Sequence, residues 1–207
     1  MLRVAGKPIL EWQLLQLQKA NVQNVIFLEN YKAKIIQDHF DSNNDWNLTI
    51  SHIMDKSPNR GTSDILKTAA NHIPTTEKSI IVLAGDILST VDLKNMLRVH
   101  TKGKKLATVF GHTQQLPFGI FEVDKKDTIT RVREKPHVIV PAALMVLDIE
   151  IFSMIPNEGD FFKNLEPIIE KSGQLYRQEG AKLFHISELK DDLAAANKEW
   201  PKFASLP

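Results

Sequence analysis

The chain has 207 residues, of which 43% are hydrophobic and 25% charged, and this composition suits one α/β domain with a sizeable core. The net charge of +1 gives no reason to expect nucleic acid or an anionic membrane as a partner, and the absence of cysteine excludes disulfides and thiolate metal sites. No apolar run approaches the roughly 18 residues of a membrane span and there is no signal-peptide core, so we expect a cytoplasmic protein.

The first half of the sequence alternates apolar runs with amphipathic segments. Pro8 suits a first helical position, and an apolar stripe runs from Ile9 to Leu17 behind it. Strands are predicted at residues 24–28 and 46–53 and in the stretch 79–86. Helices are predicted at residues 32–40, at 61–73 with Thr62 or Ser63 as cap, and at 91–100, closed by Gly103. Strands that alternate with helices of about ten residues predict a parallel, doubly wound sheet.

The second half has a different pattern, in which strands follow one another directly. Strands are predicted at residues 106–111, 118–123, 128–133 and 138–147, with a hairpin turn at 124–127. Helices follow at 148–155, 161–171 and 188–197, separated by a strand pair within 175–186. Because the sequence contains no linker, repeat or low-complexity segment, we interpret residues 1–207 as a single domain.

The most informative segment is the apolar run from Ser79 to Ala84, which ends in Gly85 and Asp86. Apolar residues on both faces predict a central strand covered by helices on both sides. Ligands of such sheets bind beyond the carboxyl ends of the strands, where Asp86 stands behind a glycine that allows close approach. Asp86 is therefore a candidate to hold a divalent metal against a phosphate, and the alternative is an ordinary turn or cap aspartate.

Three further local features carry possible chemistry. Residues 57–64 form a turn that feeds a helix N-terminus, where free N–H groups can receive an anion or a base edge. Gly119, after Phe118, starts a strand. Glu134 and Lys135 stand at a strand end before a proline, where they could bind a sugar hydroxyl and a phosphate or form an ordinary surface ion pair.

In order and spacing, these features resemble the sugar-phosphate nucleotidyltransferase family, the NDP-sugar pyrophosphorylases. The similar segments are V-A-G-K-P-I-L at residues 4–10, G-T at 61–62, L-A-G-D at 83–86, F-G at 118–119, E-K-P at 134–136, the run at 140–148 and the closing helix at 191–197. The resemblance covers nearly the whole chain and implies a three-layer α/β/α Rossmann-like nucleotidyltransferase fold with a mixed sheet.

The resemblance also implies roles for these residues. Gly61 and Thr62 would contact the nucleotide base, and Asp86, behind the substrate-binding Gly85, would hold Mg²⁺ as a catalytic residue. Gly119 would lie against the sugar ring, and Glu134 with the catalytic Lys135 would bind the sugar phosphate. The partners would be a nucleotide and a sugar phosphate, or a nucleotide-sugar, and the reaction would release pyrophosphate.

Several departures from the family pattern leave two functions open. The family begins with a strand, a G-x-G-T/S-R-L phosphate loop and a lysine, and Met1 is about level with the residue after them. The family's N-A-G is Pro141-Ala142-Ala143 here. The family's second metal-binding aspartate is missing near residues 184–188. His185 or Glu188 could replace it as a ligand, and the alternative is that both are ordinary surface residues. The chain is therefore either an N-terminally truncated nucleotidyltransferase or an inactive relative that serves as a binding or regulatory subunit.

The missing strand leads to a structural expectation. In the family it lies between the strand at 24–28 and the strand before Asp86, so its absence would leave two apolar strand edges facing a gap. We expect the chain either to repack, with the two strands drawn together or bridged by residues 1–4, or to associate through this edge as a possible homo-oligomer. The base, the sugar and the oligomeric state stay open.

Overall fold

The structure is a computed structural model that describes residues 1–42, 46–55, 61–186 and 190–203. Its helices are α1 (Ile9–Lys19), α2 (Ala33–Asp41), α3 (Thr62–Ala70), α4 (Leu93–Gly103), α5 (Ile151–Met154), α6 (Phe161–Ser172) and α7 (Lys190–Glu199). Its strands are β1 (Arg3–Val4), β2 (Lys7–Pro8), β3 (Asn24–Glu29), β4 (Thr49–Met54), β5 (Ser79–Leu83), β6 (Ile87–Ser89), β7 (Ala107–Gln115), β8 (Ile120–Val123), β9 (Ile129–Arg133), β10 (His137–Asp148), β11 (Gly173–Tyr176) and β12 (Leu183–His185). Among the helices in these ranges, none is long and apolar enough to cross a membrane.

The main sheet has four strands in the order β11-β7-β10-β5. β10 runs antiparallel to β5 and β7, whereas β11 is parallel to β7. Side chains of β10 alternate between two core clusters, because Leu144 and Val146 pack with α1 and α4 while Met145 and Leu147 pack with α5 and α6. The predicted three-layer α/β/α fold with a mixed sheet is therefore confirmed.

A second, two-stranded sheet lies beside the first. β3 and β4 are parallel, with α2 between them in sequence, and pair from Asn24 opposite Thr49 to Glu29 opposite Met54. This unit is the predicted parallel arrangement. Two antiparallel pairs, β6 with β12 and the hairpin of β8 with β9, carry loops that matter for the candidate site.

Three sequence predictions about strands and helices are wrong. β5 lies at the end of the four-stranded sheet rather than at a centre, because β10 is its one hydrogen-bonded neighbour in the described chain. β11 and β12 do not pair with each other, since two hydrogen bonds between Thr90 and Lys182 direct β12 onto β6. The helix predicted from residue 148 begins at Ile151, because Asp148 still pairs with Ser79 in the sheet.

The N-terminal segment is fixed against the C-terminal helix. Val4 is fully buried, and its carbonyl accepts a hydrogen bond from Nε1 of Trp12 at 2.8 Å. The ring of Trp12 packs edge-on against Trp200 at 5.9 Å between centroids, and the Ala5 N–H donates to Oδ1 of Asn197 at 3.0 Å. These contacts hold β1 and β2, which pair with each other, against α1 and α7.

A cavity of about 800 Å³ separates β3 from β5. Every residue of both strands lines it, with Leu10 and Leu14 of α1 and Leu66 and Ala69 of α3 among the other lining side chains, and we call it the β3–β5 slot. No hydrogen bond joins the two strands within the described ranges. The expected gap is therefore present. The repacking that we expected as one outcome is not observed, because β1 pairs with β2 instead of bridging the slot.

Candidate functional site

Asp86 lies in the turn that follows β5, beside the end of the β3–β5 slot. Its carboxylate Oδ2 is 3.2 Å from Nε2 of His185, and both side chains are more than half exposed. His185 reaches this position because it pairs with Ile87 across β12 and β6, and the Ile186 N–H donates to the carbonyl of Asp86 at 2.6 Å. Of the two residues considered as substitutes for a second metal aspartate, His185 thus lies next to Asp86, whereas Glu188 lies outside the described residues.

Asp86 and His185 determine which metal ions this part of the site could bind. Among the residues that the structure describes, no group of three His, Asp or Glu side chains is arranged to hold a metal ion. Asp86 and His185 therefore offer one carboxylate oxygen and one imidazole nitrogen. Mg²⁺ is commonly bound through one or two carboxylates together with phosphate oxygens, and imidazole suits Mn²⁺, Zn²⁺ and other transition metals as well. The donor set fits a divalent cation whose other ligands are phosphate and water.

Gly119 and Glu134 are brought together by the β8–β9 hairpin. Ile120 at the start of β8 pairs with Arg133 at the end of β9, so the residues just outside this pair, Gly119 and Glu134, face each other. A β-carbon at position 119 would lie 2.8 Å from Oε2 of Glu134 and 3.3 Å from the carbonyl oxygen of Arg133. Because real β-carbons do not approach an oxygen to 2.8 Å, the carboxylate occupies space that only a glycine leaves open.

Glu134 and Lys135 have no ionic partner within the described part of the molecule. Neither side chain takes part in an ion pair or hydrogen bond there, and both are exposed. The ion pair at this strand end joins Arg133 to Glu122 instead, with Nη2 at 2.7 Å from Oε1. Lys135 has a φ of +44°, a left-handed conformation that is uncommon for a residue with a side chain and occurs often at binding sites.

The turn at Gly61 and Thr62 packs onto the loop before α6. Gly61 has a φ of +86°, and a β-carbon there would lie 2.4 Å from the carbonyl oxygen of Gly159. Oγ1 of Thr62 accepts a hydrogen bond from the Phe161 N–H at 2.9 Å, and the Ser63 N–H donates to the Gly159 carbonyl at 3.1 Å. Gly61 occupies the N-cap position of α3 and neither Thr62 nor Ser63 caps the helix with its side chain, so that prediction is wrong. Residues 57–60 of the predicted turn lie outside the described residues.

The candidate residues thus form three groups, which are Asp86 with Gly85 and His185, Gly119 with Glu134 and Lys135, and Gly61 with Thr62. Within the described ranges, no hydrogen bond or ion pair joins one group to another. The sequence interpretation missed Gly159, which has a φ of +96°. The signal available in the sequence was the turn-forming segment Asn157-Glu158-Gly159-Asp160. The roles of these residues in binding stay predictions.

Comparisons with known proteins show the family to which this chain belongs. A family model described as "Nucleotidyl transferase" matches residues 1–183. Among curated proteins, a bifunctional protein GlmU from Methanococcus aeolicus is 30% identical over 136 residues, which are 66% of this chain and 30% of that protein. A D-glycero-alpha-D-manno-heptose 1-phosphate guanylyltransferase from Aneurinibacillus thermoaerophilus is 30% identical over 50% of this chain and 44% of its own length.

A third curated relative and a solved structure extend the match. A mannose-1-phosphate guanylyltransferase from Mycobacterium tuberculosis is 25% identical over 75% of this chain and 44% of that protein. The crystal structure of HddC from Yersinia pseudotuberculosis complexed with GMP-PN superposes with a TM-score of 0.72 at 22% identity, over 97% of this chain and 88% of HddC. The structural likeness shows the shared fold, and this chain spans half or less of the length of the curated relatives it matches.

Proposed function

The chain belongs to the nucleotidyl transferase family, and from this premise we propose that it binds a sugar 1-phosphate, or the nucleotide-sugar made from it, through Asp86 and the loop of Gly119, Glu134 and Lys135. Matched relatives are named as guanylyltransferases or uridylyltransferases of a sugar 1-phosphate. In the proposed reaction, an oxygen of the sugar phosphate attacks the α-phosphorus of a nucleoside triphosphate and the bond to pyrophosphate breaks.

The observation that carries this proposal is the contact between Gly119 and Glu134. Two motifs that lie 15 residues apart in sequence meet at one end of a hairpin, and the glycine leaves room for a carboxylate that has no partner in the described chain. A carboxylate can accept hydrogen bonds from two sugar hydroxyls, and a lysine ammonium next to it is a point charge for phosphate. An unpaired anion and cation side by side suit a ligand that has hydroxyls and a phosphate.

In this proposal the site residues position the substrate and neutralise its charge, and none of them acts as a nucleophile. Lys135 offsets charge on the sugar phosphate, and Glu134 orients the ring by its hydroxyls. Gly85 allows a phosphate to approach the backbone beside Asp86. A divalent cation held by Asp86 and His185 would supply charge neutralisation to the phosphates, and Gly61 and Thr62 are proposed to face the base.

A second candidate function is binding without turnover, as a regulatory or carrier subunit. The observation in its favour is that the family's N-A-G is Pro141-Ala142-Ala143 here, a departure that lies far from either end of the sequence. Position 185 offers an imidazole where a carboxylate would be the harder ligand for Mg²⁺. Both functions share the sugar-phosphate contacts and differ in whether pyrophosphate is released.

Calorimetry with a panel of hexose 1-phosphates and nucleotide-sugars, with and without Mg²⁺ or Mn²⁺, tests the proposal. We expect at least one ligand to bind, and Lys135→Ala to weaken its binding by about tenfold or more, the loss of one charge-assisted contact. Lys125→Ala is the matched control, since it removes an exposed lysine from the opposite end of the same hairpin. Equal losses in both variants, or no binding to any ligand, would contradict the proposal.

A further inference from the structure

Gln13 is a buried polar residue in the apolar stripe of α1. A spacing of four residues from Ile9 and from Leu17 places it on their line of the helix, and all three residues are buried. Glutamine is mostly exposed in proteins, and a buried side-chain amide requires hydrogen-bond partners. The partners of Gln13 therefore indicate what this amide does in the fold.

The side-chain amide of Gln13 bridges the two ends of the turn that contains Gly85 and Asp86. Its Nε2 donates to the carbonyl of Ala84 at 2.8 Å and to the carbonyl of Ile87 at 2.7 Å. Both hydrogens of the NH₂ group are thus used. One planar group therefore fixes the separation of the two carbonyls that flank Gly85 and Asp86.

The two carbonyls point away from the neighbouring strands. The Ala84 N–H donates to β10 at 3.0 Å, whereas the carbonyl of the same residue accepts from α1. The carbonyl of Asp86 accepts from the Ile186 N–H at 2.6 Å, so the carbonyl of the next residue, Ile87, faces away from β12. Gln13 thus supplies a donor to each carbonyl as the chain leaves β5 and enters β6.

The bridged turn fixes the backbone of Asp86 while its carboxylate stays accessible. The two bonds of Gln13 lie on either side of Asp86, and the bond from Ile186 holds its own carbonyl. The carboxylate is more than half exposed beside His185. The anchor itself is rigid, because Leu14, next to Gln13, is 1% exposed within a core cluster. The backbone is therefore held in place where the proposed metal ligand branches from it.

We propose that Gln13 is a positioning residue for the divalent cation site at Asp86. It acts through the turn, because both Nε2 hydrogens are donated to backbone carbonyls and none is left for a ligand. A turn that is already ordered spares the cation the entropic cost of ordering it, so the bridge raises metal affinity. Because Asp86 is taken as a metal ligand, this role rests on the proposed function.

Mn²⁺ binding to the wild-type chain and to two variants tests this role. Gln13→Met keeps the length and apolar contacts of the side chain but removes both donors. Gln16→Met is the matched control, since Nε2 of Gln16 donates from the same helix to the carbonyl of Val91 at 2.6 Å, outside the turn. Paramagnetic broadening of the Asp86 amide signal by Mn²⁺ alone measures the metal affinity at the turn.

The order of the turn is measured without metal. Amide exchange of Ile186 by NMR reports on its bond to the carbonyl of Asp86, and the Thr90 N–H, which donates to the Lys182 carbonyl at 3.0 Å in the same strand pair, is the internal control for Gln13→Met. The wild-type chain supplies a test that needs no variant. The Nε2 protons of Gln13 should exchange with water at least about tenfold more slowly than those of a freely exposed glutamine.

We expect Gln13→Met to speed exchange at Ile186 and to weaken Mn²⁺ binding, each by about tenfold or more, and Gln16→Met to leave both unchanged. Fast exchange of the Nε2 protons of Gln13 in the wild-type chain would overturn the role, whether or not the variant folds. Unchanged exchange or unchanged Mn²⁺ affinity in Gln13→Met would also overturn it, while leaving Asp86 as a metal ligand. Equal losses in the two variants would overturn it in favour of a general loosening of α1.

Failure of the proposed metal site has a different signature. No broadening in the wild-type chain at Mn²⁺ concentrations up to about 10 mM, or broadening that persists in Asp86→Ala, would overturn the metal role of Asp86 itself and the role of Gln13 with it.

Discussion

Gly119 and Glu134 are in such close contact that a β-carbon on the first would lie 2.8 Å from Oε2 of the second. The contact follows from the register of the β8–β9 hairpin, in which Ile120 pairs with Arg133. The carboxylate therefore lies beside the backbone at the start of β8, although the side chain is exposed. This arrangement makes position 119 a sensitive probe of the proposed sugar-phosphate site.

Replacement of Gly119 by alanine should displace the Glu134 carboxylate. We expect the affinity for the sugar phosphate to fall by about tenfold, while the urea midpoint of unfolding changes little, because the flexible end of an exposed side chain can move. Calorimetry and urea denaturation measure the two effects.

A double-mutant cycle separates this effect from general damage. In the Glu134→Ala background the oxygen that a new β-carbon would meet is gone, so Gly119→Ala should cause little further loss of affinity. Additive losses from the two substitutions would mean that Gly119 acts through something other than Glu134.

Metal binding should depend on Asp86. We expect Asp86→Ala to abolish the effect of Mn²⁺ on nucleotide-sugar affinity, and His185→Ala to reduce it, because these two side chains are the proposed donors to the metal. The paramagnetic resonance of free Mn²⁺ measures its binding directly, without any need for turnover. Asp38→Ala is the control, since Asp38 is an exposed carboxylate that pairs with Lys34 on α2. A metal effect that survives in the Asp86 variant would assign the metal to other ligands.

The 207-residue chain should not turn over. Without a glycine-rich loop among these residues nothing preorganises a triphosphate, and removal of even one such donor typically lowers a rate by about 10² to 10³. Pyrophosphate release should be assayed with each of the four common nucleoside triphosphates, several hexose 1-phosphates and either Mg²⁺ or Mn²⁺. Robust turnover with any pair would exclude this prediction and the non-catalytic candidate function together.

The sequence predicts those parts of the fold that depend on local apolar pattern. The run from Ile80 to Leu83 is a strand covered on both faces, because each side chain meets one of two core clusters. The apolar pattern cannot show that this strand lies at the end of a sheet. Side chains on both faces are buried whether or not another strand pairs with its free edge. The resemblance to the family implies a gap between this strand and β3, and the β3–β5 slot is that gap.

The candidate site shows a similar limit. The contact between Gly119 and Glu134 follows from hairpin pairing that alternation and the turn at 124–127 predict. The position of His185 depends instead on β12, a strand of three residues whose partner β6 lies almost a hundred residues earlier. The tight packing of Gly61 on Gly159 likewise joins two loops with no periodic signal. Long-range contacts between short, polar segments leave no pattern in sequence.

A buried histidine links helix α4 to two strands of the main sheet, and loss of one of its hydrogen bonds should destabilise the fold. Nδ1 of His100 on α4 is 2.9 Å from Oγ1 of Thr108 on β7, and Nε2 is 3.0 Å from Oδ1 of Asp148 on β10. Thr108→Val keeps the shape but leaves a buried ring nitrogen without a partner, so we expect a loss of about 1–3 kcal/mol in the free energy of unfolding.

Urea denaturation measures this loss. Thr113→Val is the matched control, because Thr113 lies on the same strand but is exposed, and we expect a change within about 0.5 kcal/mol there. Equal stability of the two variants would mean that water or a shifted histidine replaces the lost bond.

The turn of the β8–β9 hairpin should lose order in acid. The N–H groups of Thr128 and Lys126 donate to Oδ1 of Asp124 at 3.0 and 2.8 Å, and these bonds lower the pKa of the carboxyl below its usual value of 3.8. A carboxyl whose pKa is lower in the folded state stabilises that state above pH 3.8, and this contribution is lost as the pH falls through the folded-state pKa. The turn is therefore fully ordered near neutral pH and loses order in acid.

Amide chemical shifts of Lys126 and Thr128, followed by NMR as the pH is lowered, measure this titration. Asp124→Asn keeps an acceptor oxygen but cannot titrate, so its turn amides should show no such transition. Asp124→Ala removes the acceptor, so its turn amides should have the chemical shifts of a disordered turn at every pH. Because the same hairpin carries Gly119 and Glu134 at its other end, we also expect the alanine variant to bind the sugar phosphate more weakly than the asparagine variant. Identical shifts and affinities in the two variants would show that the Asp124 hydrogen bonds do not hold the turn.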